Sequence, residues 1–173
     1  MNTTVVTVDK EHPDKKAMEE AGRILRSGGL VAFPTETVYG LGGDGLNPSS
    51  SQKIYQAKGR PSDNPLIIHI ADLESLEKIV KRIPEKARKM AEAFWPGPLT
   101  MIFEKSSAVP YETTGGLESV AVRMPSHPVA MALIKEGGGY VAAPSANTSG
   151  RPSPTQASHV REDLEGKIDM IID

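Results

Sequence analysis

Residues 56–70 read QAKGRPSDNPLIIHI, and the rest of the chain is best understood outward from this stretch. Two cations, Lys58 and Arg60, stand two residues apart beside a glycine and a proline, which disfavour helix. In an extended segment, residues i and i+2 point to the same side, so the two charges should point together from a fixed loop. Such a pair suits a polyphosphate or a phosphoryl centre that gains charge. A solvated Lys/Arg turn is the plainer alternative.

The run that follows, residues 66–70, is apolar except for His69 and predicts a short buried strand. His69 itself could be a core histidine or a site residue. Outward from this run, segments with helical spacing alternate with short apolar runs. Helices are predicted at 48–58, 72–80 and 84–94, and strands at 30–33, 66–70, 99–104, 119–124, 140–143 and 167–172, with a loop at 34–45. The alternation predicts an α/β fold with an open, twisted, mixed or mainly parallel sheet and flanking helices.

The composition narrows the class of protein. A length of 173 residues suits one domain, 1–173, and a net charge of −2 leaves no overall basic surface for nucleic acid, so RNA contact would need a local patch. The absence of cysteine excludes disulfides, thiolate catalysis and cysteine zinc sites. The four histidines lack metal-ligand spacing, so no metal site is predicted. No signal peptide or membrane span is recognisable, and we expect a cytoplasmic protein that does not bind membranes.

The sequence GLGGDG, Gly40 to Gly45, matches the dinucleotide-binding pattern G-x-G-x-x-G in letters only. That motif needs a helix that starts inside it, whereas the next predicted helix begins at Pro48. No P-loop motif occurs either. A nucleotide would therefore need other phosphate contacts.

Two polar loops follow predicted strands, where α/β sheets place their ligands. PTETVYGL, residues 34–41, groups hydroxyls and a carboxylate that suit a small polar ligand such as an amino acid; a turn that satisfies its own backbone is the alternative. SANTSGRPSPT, residues 145–155, suits nucleotide edges and phosphates, but could be a plain connection. Arg123 lies in an apolar strand and should be paired with a protein acid or a ligand anion.

Five motifs in order, PTETVYGLG, KGRP followed by NPLIIHI, WPGPLT, VAVRMP and SANTSGRPSPT, resemble the YrdC-like threonylcarbamoyl-AMP synthases from about Leu30 to Thr155. The resemblance implies an enzyme that joins L-threonine, bicarbonate and ATP into threonylcarbamoyl-adenylate and releases pyrophosphate. The product serves the threonylcarbamoyladenosine modification of tRNA. It also implies an open twisted sheet around a large, positively lined cavity.

Matching positions imply the roles of individual residues. Lys58 and Arg60 would be catalytic. The expected ATP contacts are Lys58, Arg60, Asn64, Ser119, Asn147 and Thr155, and the expected threonine contacts are Thr37, His69, Arg123 and Ser145. Mg²⁺ would arrive with ATP. tRNA or double-stranded RNA and a downstream threonylcarbamoyl-transfer complex are further expected partners.

Members of the family continue beyond the last strand with segments that complete the site, so we expect residues 1–173 to lack part of it. Two other functions stay open. One is that of a relative that forms a carbamoyl-adenylate from carbamoyl phosphate. The other is a double-stranded RNA or tRNA binding module without chemistry, against which the near-neutral charge counts.

Overall fold

A computed structural model describes residues 1–173. The eight strands are Thr4–Val6 (β1), Val31–Phe33 (β2), Gly40–Asp44 (β3), Ile67–His69 (β4), Thr100–Glu104 (β5), Ser119–Arg123 (β6), Val141–Ala142 (β7) and Met170–Ile172 (β8). The seven helices are Lys15–Arg26 (α1), Pro48–Lys58 (α2), Leu76–Ile79 (α3), Glu85–Phe94 (α4), Tyr111–Thr114 (α5), Pro128–Glu136 (α6) and Ala157–Leu164 (α7). None of these helices has both the length and the apolar character needed to cross a membrane.

The strands form one open sheet in the order β1-β8-β2-β3-β7-β4-β6-β5. Three neighbouring pairs are parallel (β1 with β8, β2 with β8, β4 with β6), and the other four are antiparallel. The predicted α/β class and mixed sheet are therefore confirmed. The mainly parallel version is wrong, because the strand direction reverses four times: between β2 and β3, on both sides of β7, and between β6 and β5.

The predicted loop at 34–45 is partly wrong, because its second half is strand β3. Three of the five β3 residues are glycines, which normally weaken a strand. The structure shows why small residues are needed here. A Cβ on Gly42 would lie 2.9 Å from Phe33 Cε1 and 2.9 Å from Val141 Cγ1. The absence of a side chain at Gly42 thus leaves room for Phe33 and Val141 to pack in the core.

The predicted helix at 48–58 is confirmed, and its ends follow from local chemistry. The Asn47 side chain caps the helix by accepting from Ser49 N, and Gly59 ends it in the left-handed conformation with φ of 62°. The helix predicted at 72–80 shortens to α3, because Asp72 Oδ1 accepts from Ser75 N and Oγ and holds the preceding residues in a turn. The last strand likewise shortens to β8.

Two layers of helices cover the sheet unequally. On one face, α1 and α6 pack on the β2 and β7 side, where Met18, Leu25 and Leu133 meet Phe33 and Val141. The opposite face is covered along its whole width by two further clusters, one formed with α2 and α7 and one formed with α3 and α4. The face that bears α1 and α6 therefore has no helix over β4, β6 and β5.

Candidate active site

The side chains of strand β6 alternate between the helix-covered side of the sheet and the side without a helix. Val120 and Val122 are buried in the core, and the alternation of a strand turns Ser119, Ala121 and Arg123 to the other side. Arg123 is four positions after Ser119 in the strand, so their Cα atoms lie about 13 Å apart. The expected nucleotide contact and the expected threonine contact thus mark two ends of one strip.

Neighbouring strands extend this strip. In β4, His69 pairs with Arg123 and Ile67 pairs with Ala121. In β5, Ile102 pairs with Ala121, and its side chain is 73% exposed. We call this surface, formed by Ile67, His69, Ile102, Ser119, Ala121 and Arg123, the open face. It has an apolar middle between two polar ends.

Lys58 is held at the Ser119 end. It is the last residue of α2 and only 2% exposed, and its Nζ donates to the carbonyl oxygens of Ser145 at 2.6 Å and Asn147 at 2.5 Å. Ser149 N returns a hydrogen bond of 2.9 Å to Lys58 O. The C-terminus of α2 and the polar loop 145–155 therefore form one unit around a buried ammonium group.

The surroundings of Lys58 lower its pKa to about 8. Burial is the largest cause, and the charge of Arg60 acts in the same direction, whereas Asp163 raises the pKa. Two of the three Nζ hydrogens bond to carbonyl oxygens, so one donor is available for a ligand. At neutral pH the group is a largely protonated cation.

Arg60 lies beside Lys58 but turns toward its own loop. Its Nε donates to Asn64 O at 3.3 Å and its Nη2 donates to Pro65 O at 2.8 Å. The contribution of Asn64 is a backbone oxygen, and its side chain is exposed. The structure thus brings the two cations together, although Gly59 in the left-handed conformation, rather than an extended segment, connects them.

Arg123 at the other end of the open face is paired with Glu36, an acid of the loop 34–39. Glu36 Oε2 accepts from both the backbone N and the Oγ of Ser126 at 2.7 Å. Burial raises the pKa of Glu36, but the Ser126 hydrogen bonds and the Arg123 charge outweigh this effect, and the pKa is lowered. The sequence left open whether Arg123 pairs with a protein acid or a ligand; the structure provides the acid.

Thr37 is next to this pair. Arg123 Nη1 lies 3.4 Å from Thr37 Oγ1, a long contact that holds the guanidinium edge weakly. Arg123 Nε donates to Gly97 O at 3.1 Å, so the WPGPLT turn fixes the other side of the group. An anion that reaches the exposed Thr37 can therefore meet a cation whose orientation is already set.

His69 is buried beside Arg123 and stays neutral. Burial, followed by the charge of Arg123, lowers its pKa to about 4. Nδ1 lies 3.2 Å from Ile67 O, which favours the tautomer with the proton on Nδ1. At neutral pH the imidazole thus adds hydrogen-bonding capacity without adding charge beside Arg123.

Asn147 has one unused atom. Its Nδ2 donates to Thr148 O and Arg151 O, both at 2.9 Å, whereas Oδ1 is buried and has no hydrogen-bond partner. The residue as a whole is 5% exposed. A buried acceptor without a partner costs free energy until a donor reaches it, so this oxygen favours a ligand hydroxyl or amino group.

The remaining predicted residues are less closely grouped. Ser145 forms an isolated bridge with Gly40 and offers its hydroxyl without a protein partner, at the Lys58 end and not beside Arg123. Thr155 is exposed and lines a cleft of about 270 Å³ formed by residues 151–155 and α7.

The predicted site residues contribute little to the five principal clefts of the molecule. Five principal clefts have volumes between about 210 and 680 Å³, and of the predicted site residues only Thr155 lines them. The candidate residues instead surround an open surface, because Lys58, Arg60 and Arg123 fold back onto protein oxygens. No group of three or more histidine, aspartate or glutamate side chains could hold a metal ion.

Some residues of the site were missed in the sequence. No role in the site was predicted for Ser126, yet it fixes Glu36. Asp163 was not singled out, yet its carboxylate contacts the polar loop through Thr148 N at 2.9 Å and Arg151 Nε at 3.3 Å. These contacts span 90 residues in the first case and 15 in the second, so no local spacing indicated them.

Comparison with known proteins fits this geometry. The family model Sua5_yciO_yrdC, described as "Telomere recombination", matches residues 23–173. A protein of Pyrococcus abyssi named threonylcarbamoyl-AMP synthase is 54% identical over 98% of this chain, and one of Bacillus subtilis with the same name is 52% identical over 98%. The chain spans about half the length of these curated relatives, 50% and 49%.

A solved structure agrees with the fold. The crystal structure of P. abyssi Sua5 complexed with L-threonine superposes with a TM-score of 0.96 at 54% identity, covering 99% of this chain and 50% of that one. The match of the family model over most of the chain and the high identity of the relatives agree with each other. The chain therefore belongs to the Sua5/YciO/YrdC family.

Proposed function

We propose that this chain forms L-threonylcarbamoyl-adenylate from L-threonine, bicarbonate and ATP and releases pyrophosphate. The proposal depends above all on one observation: a buried ammonium group, Lys58, is clasped by the same polar loop that presents the Ser145 hydroxyl and the free Asn147 Oδ1. The names of the P. abyssi and B. subtilis relatives, and the threonine complex of the former's Sua5, support it. The product would then supply tRNA modification.

The nucleotide is proposed to lie at the Ser119 end of the open face. The free N–H of Lys58 meets a phosphate oxygen there, and Arg60 adds a second positive charge. Asn64, Ser119, Asn147 and Thr155 surround the rest of the nucleotide. In this arrangement, Asn147 Oδ1 can only accept, so it selects a hydroxyl or amino group.

The amino acid is proposed to lie at the Arg123 end, with Thr37 and His69. Arg123 attracts the threonine carboxylate, and the Glu36 pair keeps its guanidinium oriented before the substrate arrives. Neutral His69 contributes a hydrogen bond without repelling a substrate ammonium. Ser145 lies next to Lys58 at the opposite polar end of the site, where its hydroxyl would contact the carbamoylated form of threonine.

The proposed chemistry places two steps between these ends. The threonine amine reacts with bicarbonate and releases water, or with CO₂ and releases a proton, to give a carbamate. A carbamate oxygen then attacks the α-phosphorus as the bond to pyrophosphate breaks. Lys58 and Arg60 offset the negative charge on the phosphorus and on the leaving pyrophosphate. Positioning and electrostatics thus account for most of the catalysis.

Mg²⁺ would be held mainly by the triphosphate and water. The chain brings no group of three acidic or histidine side chains together, so its residues do not form a metal cage, and we assign no step to the ion. tRNA, double-stranded RNA and the transfer complex remain proposed partners.

The test is pyrophosphate release by the full chain supplied with ATP, L-threonine and bicarbonate. We expect turnover that needs threonine and that falls by about 100-fold or more in Lys58→Met, because the variant lacks a charge that stabilises the transition state. Lys53→Met is the matched control: Lys53 is in the same helix, and its Nζ donates to Gly28 O away from the open face. The control should retain its rate.

Other outcomes would point to the other functions. Turnover that needs carbamoyl phosphate rather than threonine would favour the carbamoyl-phosphate relative. No turnover, together with salt-dependent RNA binding that survives Lys58→Met, would favour the RNA-binding module. Equal loss of activity in the Lys58 and Lys53 variants would contradict the assignment of Lys58 to the phosphates.

A further inference from the structure

Asp163 in α7 lies behind the polar loop and outside the proposed ligand contacts. Its side chain is only 7% exposed. One carboxylate oxygen accepts from Thr148 N at 2.9 Å and the other lies 3.3 Å from Arg151 Nε. The charge-assisted hydrogen bond to Thr148 N is the stronger of the two contacts, because the Arg151 side chain is 60% exposed and water screens its pair with Asp163.

These partners belong to the loop that holds Lys58. Thr148 directly follows Asn147, whose carbonyl oxygen accepts from Lys58 Nζ. The carbonyl oxygen of Arg151 accepts from Asn147 Nδ2 and thereby leaves Oδ1 as the free atom. Asp163 therefore contacts the loop at two points that follow Asn147, the residue that presents one atom to Lys58 and another to a ligand.

We propose that Asp163 is a positioning residue: its carboxylate anchors the loop 145–151 on α7, so that Lys58 and Asn147 keep their geometry and Lys58 keeps its positive charge. It touches no substrate in this arrangement. The role in catalysis rests on the proposed function, whereas the role in placing Lys58 does not.

Electrostatics supports the same role. Two charged groups affect Lys58: Arg60 from the following loop lowers its pKa, and Asp163 from α7 raises it. Arg151 shares the Asp163 carboxylate and thus weakens its effect on Lys58. Without the Asp163 charge, burial and Arg60 would act unopposed, and Lys58 would lose its proton at lower pH.

The first test is the pH profile of kcat/KM for ATP, which reports groups of the free enzyme. In Asp163→Asn, the decline at high pH should begin at lower pH by about half a unit or more, because an opposite charge is removed near Lys58. The ratio of variant to wild-type kcat/KM should thus fall as the pH rises from 6.5 to 8.5. A purely structural loss would lower kcat/KM by the same factor at every pH and would overturn the proposal.

Glu162→Gln is the matched control. Glu162 is the preceding residue of α7, is exposed, and makes no hydrogen bond or ion pair within the protein, so the variant removes an equal charge without touching the loop. Its profile should match that of the wild type. A downward displacement as large as that of Asp163→Asn would show a general charge effect and would also overturn the proposal.

A second readout does not depend on activity. In ¹⁵N-lysine NMR of the full chain, with Lys58→Met used for assignment, the Lys58 Nζ should titrate at lower pH in Asp163→Asn than in wild type. A shift without any synthase activity would refute the proposed function and support the positioning role. No shift would overturn the positioning role, whatever the activity.

If Asp163→Asn does not fold, the wild-type protein still provides the test. When Asp163 is protonated in an acid titration, the Thr148 amide resonance should move with the same midpoint as the Asp163 carboxyl carbon. Independent movement of the two signals would contradict the anchor.

Discussion

At the scale of single residues, the site is made of side chains that are unusual for their positions. Lys58 and Arg123 are buried cations, and His69 is a buried imidazole at the end of strand β4. Each makes hydrogen bonds to protein oxygens, which offset much of the cost of burial. The part of the burial cost that these hydrogen bonds do not offset disfavours the charged forms of Lys58 and His69, and their pKa values are therefore lowered.

The shift at His69 predicts an acid sensitivity. Its pKa is about 4 in the folded protein, whereas the usual value is about 6.5, so the native state binds fewer protons than the unfolded state between these pH values. This contribution to stability is complete above about pH 6.5 and is lost as the pH falls through about 4. From pH 7 to 4, the free energy of unfolding should fall by ~3 kcal/mol more in wild type than in His69→Gln.

Urea denaturation at a series of pH values measures this difference. Glu36, with its lowered pKa, destabilises both proteins alike in acid and cancels from the comparison. His12→Gln, which replaces an exposed histidine, serves as the control and should follow the wild-type curve. If the free energies of unfolding of His69→Gln and wild type changed in parallel with pH, burial would not disfavour the protonated form of His69, and the prediction would be wrong.

At the scale of elements, helix α2 and the loop after it decide where the two cations lie. Gly59 ends the helix in the left-handed conformation and turns the chain so that Arg60 leaves in a new direction. The new direction lets Arg60 reach the carbonyl oxygens of Asn64 and Pro65. The geometry of the charge pair therefore depends on one helix terminus.

Replacing Gly59 isolates the contribution of that terminus. A Cβ there would have no atom within 4 Å, so Gly59→Ala creates strain in the backbone without a steric clash. We expect the free energy of unfolding to fall by about 1 kcal/mol, since left-handed φ is costly for alanine. Gly59→Asn should cost less, because asparagine tolerates this conformation better. Chemical denaturation measures both, and an equal cost for alanine and asparagine would contradict the explanation.

At the scale of the whole molecule, unequal coverage of the sheet bounds the candidate site. Helices cover one face completely, whereas no helix lies over β4, β6 and β5 on the opposite face. The boundary of the open face is set by where the α1 and α6 layer stops. The packing of that layer is close: a Cβ on Gly22 of α1 would lie 2.5 Å from Glu136 Cβ and 2.5 Å from Glu136 O.

Gly22→Ala tests that packing. Helix propensity alone would make alanine the better residue by about 1 kcal/mol. We nevertheless expect a net loss of about 1–3 kcal/mol in the free energy of unfolding, because the two helices must move apart. Glu19→Ala, at an exposed position of the same helix, should be neutral within about 0.5 kcal/mol. A stabilised Gly22→Ala protein would show that the helices are not in tight contact.

The fold was predictable where sequence periodicity is strong, as in the α/β alternation and in α2 with its Asn47 cap. It was not predictable at β3, because the glycines there serve contacts with Phe33 and Val141 that lie far away in sequence. In the site, the family resemblance implied that Lys58 and two residues of the 145–155 loop, Asn147 and Thr155, contact the same nucleotide. The partners Glu36 for Arg123 and Asp163 for the loop depend on tertiary contacts that no local pattern records.

The two oxygens that clasp the Lys58 ammonium group belong to the main chain, and this has an evolutionary consequence. Every amino acid type supplies a main-chain oxygen, so residues 145 and 147 can be exchanged without removing the lysine's acceptors. Inherited changes there would retune which molecules are recognised while the positive charge stays in place. Specificity and charge placement can thus diversify separately on this scaffold.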